Sequence, residues 1–174
     1  MAHPAQMNYV KSVKQRHGKY FNESRVLEIG SLNVNGSFRE LFNNSDYTGV
    51  DIVQGRDVDV VTKGHLFFND EMYDVVCSGE CFEHDEYWNL TIQNMYNLLK
   101  EDGLLFFTCA STGRAEHGTT RSGQNAIWGT SPDYYQNLTE EDIRSVWNVE
   151  KLFKDFEFIY QPESKDLYFK GVKK

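Results

Sequence analysis

Val26-Leu27-Glu28-Ile29-Gly30-Ser31-Leu32-Asn33-Val34-Asn35-Gly36-Ser37 is the stretch whose reading decides the fold. An apolar run ends in an acid and a glycine, passes into a loop of small residues, and continues into a helical pattern. A second apolar run, Tyr47-Thr48-Gly49-Val50, follows and ends in Asp51. A strand, a glycine loop, a helix and a second strand ending in an acid is the order in which α/β folds hold nucleotide-like ligands. The loop allows close backbone approach, and the second acid can accept hydrogen bonds from both hydroxyls of a ribose.

Outward from this stretch, apolar periodicity predicts the remaining elements. Met7, Val10, Val13 and His17 fall at helical spacing between Pro4 and Lys19, which predicts a short leading helix. Arg25–Gly30 reads as the first strand. Ser37–Phe42 reads as the start of a helix, with Ser37 as N-cap and Glu40 as its capping-box partner. Asp46–Ile52, Val58–Val61, Tyr73–Ser78 and Leu104–Cys109 read as strands two to five. Glu86–Lys100 carries the stripe Trp88, Ile92, Met95, Tyr96, Leu99 of an amphipathic helix that stops at Gly103. A helix opens at Thr139, and Phe156–Tyr160 with Leu167–Val172 reads as an antiparallel hairpin. Strand and helix alternation followed by a hairpin predicts a doubly wound, mostly parallel, seven-stranded sheet with helices on both faces. The glycine loop, Asp51 and the segment Ser78–Asp85 then converge in one crevice.

The 174 residues are read as one domain, 1–174, with a leading helix over 1–20 and a long loop over 110–136. That loop holds Gly113, Gly118, Gly123, Gly129 and Pro132, and a connection this long is expected at an active site. The formal net charge of -8 argues against nucleic acid as a partner, because a phosphate backbone demands a basic surface. No apolar run is long enough for a membrane span, and the polar N-terminus carries no secretory pattern. Three cysteines, Cys77, Cys81 and Cys109, are read as reduced thiols of a cytoplasmic protein. They lack the ligand number and spacing of a zinc site, so no metal is expected. No pattern in the sequence sets an oligomeric state.

These residues resemble the class I S-adenosylmethionine-dependent methyltransferases, and among them the small type 11 domains. The resemblance rests on Leu27-Glu28-Ile29-Gly30, on Gly49-Val50-Asp51, on Tyr73-Asp74-Val75-Val76-Cys77-Ser78 followed by Glu83-His84, and on Leu98-Leu99-Lys100-Glu101-Asp102-Gly103-Leu104-Leu105. It implies a Rossmann-like fold, S-adenosylmethionine as cofactor with S-adenosylhomocysteine as product, and methyl transfer to a small-molecule or polymer-linked acceptor. It also implies site roles. Glu28 would contact the methionine end, and the loop Gly30, Ser31, Leu32, Asn35 would bring backbone close. Asp51 would hold the ribose and Ile52 would stack on the adenine. Gly64 and His65 would border the adenine edge, and Ser78, Gly79 and Glu80 would line the methionine side. Two positions depart from the family pattern: Leu32 stands where a second glycine is usual, and Lys63 stands near the place of an acid that meets the adenine amine.

His84 is the candidate catalytic residue, since a free imidazole near neutrality can take a proton from an acceptor hydroxyl or amine. Asp85 reads as an N-cap and His117 as a solvated loop residue. Tyr134 and Tyr135 either cover a substrate or anchor the loop. Trp88, Trp128 and Trp147 read as packing residues. A non-enzymatic methyltransferase-like binding module remains open as an alternative. A nicotinamide-dependent oxidoreductase is the weaker one, because Gly30 to Gly36 does not fit Gly-x-Gly-x-x-Gly.

Overall fold

Val26, Leu27, Val75, Val76, Leu104, Leu105, Phe106 and Phe107 are all fully buried, and they mark the three strands at the centre of the sheet. These strands are apolar on both faces because both faces are covered. The structure, a computed structural model, describes residues 4–123 and 134–174. The elements in chain order are α1 (Pro4–Arg16), β1 (Arg25–Ile29), β2 (Asp46–Asp51), β3 (Val60–Val61), β4 (Tyr73–Gly79), α2 (Trp88–Leu98), β5 (Leu99–Ala110), α3 (Glu140–Val146), α4 (Val149–Leu152), β6 (Phe153–Gln161) and β7 (Asp166–Lys173). The seven strands form one sheet in the order β3-β2-β1-β4-β5-β7-β6. β1 runs parallel to β2 and β4, β2 to β3, and β4 to β5, while β7 is antiparallel to both β5 and β6.

One face packs around Leu27, Ile29, Val76, Ile92, Met95, Trp147, Phe153 and Phe169, contributed by the sheet together with α2, α3 and α4. The other packs around Val10, Val13, Phe21, Phe38, Val75 and Phe106, where α1 and the turns that follow it lie on the sheet. Stacked rings tie this second layer together, with Phe21 4.5 Å from Phe42 and Tyr9 4.6 Å from Tyr168 between centroids.

Three sequence expectations are corrected in detail. The helix after the glycine loop is a single 3-10 turn, Phe38–Leu41. Ser37 caps it by accepting from the Arg39 amide, with no reciprocal bond from Glu40. The chain turns back at once through Asn44, whose φ of 48° is left-handed, so no further helical turn can form. The leading helix ends at Arg16, and Gly18–Phe21 continue as another 3-10 turn that brings Tyr20 and Phe21 into the core. The amphipathic helix is α2, shorter than Glu86–Lys100, because Leu99 leaves it to pair with Tyr73 across a bulge in β4. Trp147 is buried as expected, Trp88 packs half-buried on the same core, and Trp128 lies outside the described residues.

Gly49 shows why a glycine sits inside a strand. A Cβ there would lie 2.1 Å from the Asp57 carbonyl oxygen and 2.6 Å from the Ser31 hydroxyl. Two loops therefore close over β2 only because this position has no side chain. Gly49→Ala is expected to destabilise the fold by about 1–3 kcal/mol, read as a lowered urea midpoint at unchanged slope.

Candidate active site

The parallel register aligns the C-terminal ends of three neighbouring strands. Ile29 pairs with Val50 of β2 and with Ser78 of β4. Gly30, Asp51 and Gly79 therefore leave the sheet side by side, at the edge where doubly wound folds bind ligands. A small cleft, partly open to solvent, lies here between Glu28, Gly30, Ser31, Leu32, Gly36, Phe38 and Gly79.

Gly30 is required twice. Its φ of 81° is left-handed, and a Cβ would stand 2.6 Å from the Cys81 Cβ. The amides of Gly30 and Ser31 both donate to the Val50 carbonyl, at 2.8 and 3.1 Å, so they fasten the loop to β2. Leu32 is half-buried, and its amide donates to Asp51 Oδ2 at 3.1 Å. Asp51 Oδ1 accepts from the Val53 amide at 3.2 Å. The carboxylate expected to hold a ribose thus also shapes the loops on both sides of it. Asn35 is exposed, and Asn33, which the sequence reading passed over, does the shaping. Its Oδ1 accepts from the Gly36 amide at 3.0 Å, and its Nδ2 donates to Asp57 Oδ2 at 2.6 Å. An Asn ahead of a Gly turn was the available signal.

Glu28 lies under the cleft with 5% of its surface exposed. Tyr47 donates its phenol to Glu28 Oε2 at 2.7 Å. Burial outweighs that bond and pushes the carboxyl up to about 7. Ile52 is half-buried just beyond β2. Gly64 opens a 3-10 turn, and a Cβ there would lie 2.7 Å from both Ile29 Cγ2 and Thr91 Cγ2. His65 packs 4.5 Å from the Tyr87 ring, and its Nδ1 is buried without a hydrogen-bond partner among the described residues. Lys63 faces outward, 3.9 Å from Glu86 and 4.9 Å over the Tyr87 ring. Ser78 is fully buried and donates to the Ile29 carbonyl at 2.8 Å, so its hydroxyl braces β1 against β4.

Beyond Gly79 the chain turns through Glu80, with φ of 50°, into the 3-10 turn Phe82–His84. Glu80 lies by the Glu83 carboxyl; both are raised, first by burial, and Glu80 further by the charges of Glu83 and Asp166. Asp166, fully buried, is paired with Arg114 at 3.1 Å. Arg114 also donates to the Ser164 carbonyl and accepts from Asn137 at its own carbonyl, which ties the loop after β5 to the hairpin. His84 is 8% exposed, and burial, with His117 beside it, pulls its imidazole down to about 3. Asp85 caps the turn before α2, accepting from the Tyr87 amide and the Thr91 hydroxyl. His117 is not the solvated loop residue expected. Its ring packs 5.0 Å from His84 and 5.0 Å from Tyr135, which itself lies 5.4 Å from His84.

A family model described as a methyltransferase domain matches residues 1–156. The fold resembles 1,6-didemethyltoxoflavin-N1-methyltransferase from Burkholderia thailandensis, crystallised with S-adenosylhomocysteine, at TM-score 0.65 and 15% identity over 96% of this chain and 77% of that one. It resembles the N-methyltransferase NodS from Bradyrhizobium japonicum at TM-score 0.63 and 18% identity, covering 98% and 88%. It also resembles the [4+2]-cyclase SpnF at TM-score 0.65 and 14% identity, covering 97% and 82%. A search of the curated proteins finds no match. No helix among the described residues is long and apolar enough to cross a membrane.

The raised Glu28 carboxyl has a consequence for stability. Folding lifts it from an ordinary value of 4.5 to about 7, so the folded state holds a proton that the unfolded state has lost. Its contribution therefore favours the fold below pH 4.5 and is lost as pH rises from there to about 7. Glu28→Gln removes the ionisation and is expected to raise the melting temperature more at pH 8 than at pH 5, by roughly 2–4 °C per kcal/mol relieved, in parallel calorimetric scans.

Proposed function

Because this chain belongs to the methyltransferase-domain family, we propose that it transfers a methyl group from S-adenosylmethionine to a small-molecule acceptor, free or polymer-linked. The observation that carries the reading is the alignment of Gly30, Asp51 and Gly79 on one strand edge, with Glu28, Gly30 and Gly79 lining the cleft there. The residues fit the cofactor. Ser31 Oγ and His65 Nδ1 are buried beside this edge without hydrogen-bond partners among the described residues, so a polar ligand has groups to meet. Several methyltransferases of the same fold were crystallised with S-adenosylmethionine or its product.

Bound there, S-adenosylmethionine supplies a sulfonium-activated methyl group for in-line displacement. The chain's own work is then positioning and exclusion of water. Glu28, once ionised, would face the positively charged methionine end. Asp51 keeps lone pairs for ribose hydroxyls beyond the two amides it accepts. Ile52 and His65 would bound the adenine, with the buried Nδ1 of His65 available for a hydrogen bond to the base. Lys63 takes no part, since it faces Glu86. Gly30 and Ser31 hold the loop shape, because their amides are committed to Val50. Gly79 keeps the wall thin beside Phe38, whose ring a Cβ would meet at 2.8 Å. His84 is the candidate proton acceptor. Its imidazole is neutral, but a base with its conjugate acid near 3 drives little transfer, so orienting the acceptor is its main contribution.

The chain's motif spacing supports the small type 11 kind within the family. The three free thiols support a reducing compartment, the cytoplasm.

Calorimetric titration with S-adenosylmethionine, S-adenosylhomocysteine and NADH tests the reading. Micromolar binding of the two sulfur compounds, with none for NADH, is expected. Binding of NADH alone, or of none of the three, overturns it. Cofactor at a hundred times its dissociation constant is expected to add about 2.7 kcal/mol of stability. Asp51→Ala should abolish most of that gain. It should also cost about 1–3 kcal/mol by itself, because the Leu32 and Val53 amides lose their acceptor. A full thermal shift retained by Asp51→Ala would place the ribose elsewhere.

A further inference from the structure

The carboxylate of Glu83 and the imidazoles of His84 and His117 bring one ligand atom each to within 4.8 Å of one another. We propose that these three side chains bind a divalent transition-metal cation of the zinc type, beside the cleft. The sequence reading weighed only cysteines as ligands and expected no metal. His84 and His117 come from different segments, which the fold joins.

Two further observations point to a ligand. Glu83 is fully buried, and both its carboxylate oxygens are without a hydrogen-bond partner among the described residues. The backbone amides of Glu83 and Ala110 lie near enough to favour the ionised carboxylate in part, and burial still outweighs them. A buried carboxyl left so is expensive unless something meets it. The second observation concerns His117. Its Nδ1 lies 3.1 Å from the Ala115 carbonyl oxygen, which can only accept, so Nδ1 carries the proton. That assignment leaves Nε2 with a free lone pair. A ring N–H held by a backbone carbonyl is the usual outer contact of a metal-bound histidine.

Two imidazoles and one carboxylate favour a borderline cation over magnesium or calcium, which prefer oxygen alone. Ligand atoms of a tetrahedral zinc site stand roughly 3.3 Å apart, given metal–ligand distances near 2.05 Å. The present spread of up to 4.8 Å therefore has to close by no more than about 1.5 Å. Three protein ligands leave a coordination position for water or for an oxygen or nitrogen of an acceptor. Glu80, whose Oε1 is also buried without a partner among the described residues, adds a carboxylate nearby. The role in holding the acceptor rests on the methyltransferase reading; the site itself does not.

The test uses the full chain, stripped with a chelator and titrated with Zn2+ alone by calorimetry and with Co2+ alone by visible absorption. One equivalent of either metal is expected, with the cobalt bands of a site containing imidazole. Glu83→Gln and His117→Ala should each weaken binding at least tenfold. His117→Ala alters a half-buried loop residue outside the two apolar cores, so it remains informative if Glu83→Gln fails to fold. His17→Ala, on the opposite layer, should bind as the parent does. No binding, or binding indifferent to both Glu83→Gln and His117→Ala, overturns the site. S-adenosylhomocysteine titrated into the same variants separates the two readings. Retained cofactor binding with lost metal binding supports the metal site as a distinct one. Metal binding in a parent that takes no cofactor leaves the site standing and removes its proposed role.

Discussion

The carbonyl of Val50 accepts two backbone hydrogen bonds, from Gly30 and Ser31, and the arrangement of the site depends on it. It pins the loop after β1 to the end of β2. Only then does the Leu32 amide reach Asp51, and only then can the carboxylate span Leu32 on one side and Val53 on the other. A left-handed φ at Gly30 lets the chain make that turn, and the absence of a side chain at Gly49 leaves room for Ser31 and the Asp57 carbonyl. A donor pair, one carboxylate and two glycines thus set the geometry of the whole strand edge.

The same edge collects buried carboxyls. Glu28, Glu80 and Glu83 are all raised above the ordinary range, and in each case burial is the largest cause. Such groups reduce stability at neutral pH, where water would hold them ionised. Asp166, also fully buried, has the Arg114 guanidinium 3.1 Å away. Three such carboxyls near one rim concentrate the cost where a cationic ligand would relieve it.

The strands were legible in the sequence because each is a short apolar run with a turn signal after it. Topology followed from alternation and handedness. What was not legible depends on packing across the sheet. The run after Ser37 has helical spacing, yet Phe38 and Phe42 are drawn onto Phe106 and Phe21, and the chain turns back at Asn44. Leu99 has the spacing of α2 but finds a better partner in Tyr73. Glu28, Gly30 and Asp51 could be placed near one edge of the sheet from the sequence because strand ends carry a sequence signature. The meeting of His117 with Glu83 and His84 carries none: it is made by Arg114 anchoring the loop to Asp166 and Ser164, and by the Gln136 amide bonding to the Glu83 carbonyl.

Leu32 shows how a departure from a family pattern is absorbed. A glycine at that position would serve the backbone, and here the backbone function is intact, since the Leu32 amide still meets Asp51. The side chain has to go somewhere, and it lodges over Gly55, where a Cβ would come within 2.3 Å of the Leu32 Cδ1. The missing glycine of the first loop is matched by a glycine across the gap, in the loop after β2. The end of the side chain that Leu32 adds is therefore directed toward Gly55, while Leu32 still lines the cleft together with Gly30 and Gly36. The two positions form one steric unit: enlarging Gly55 displaces Leu32, and displacing Leu32 moves the amide that orients Asp51.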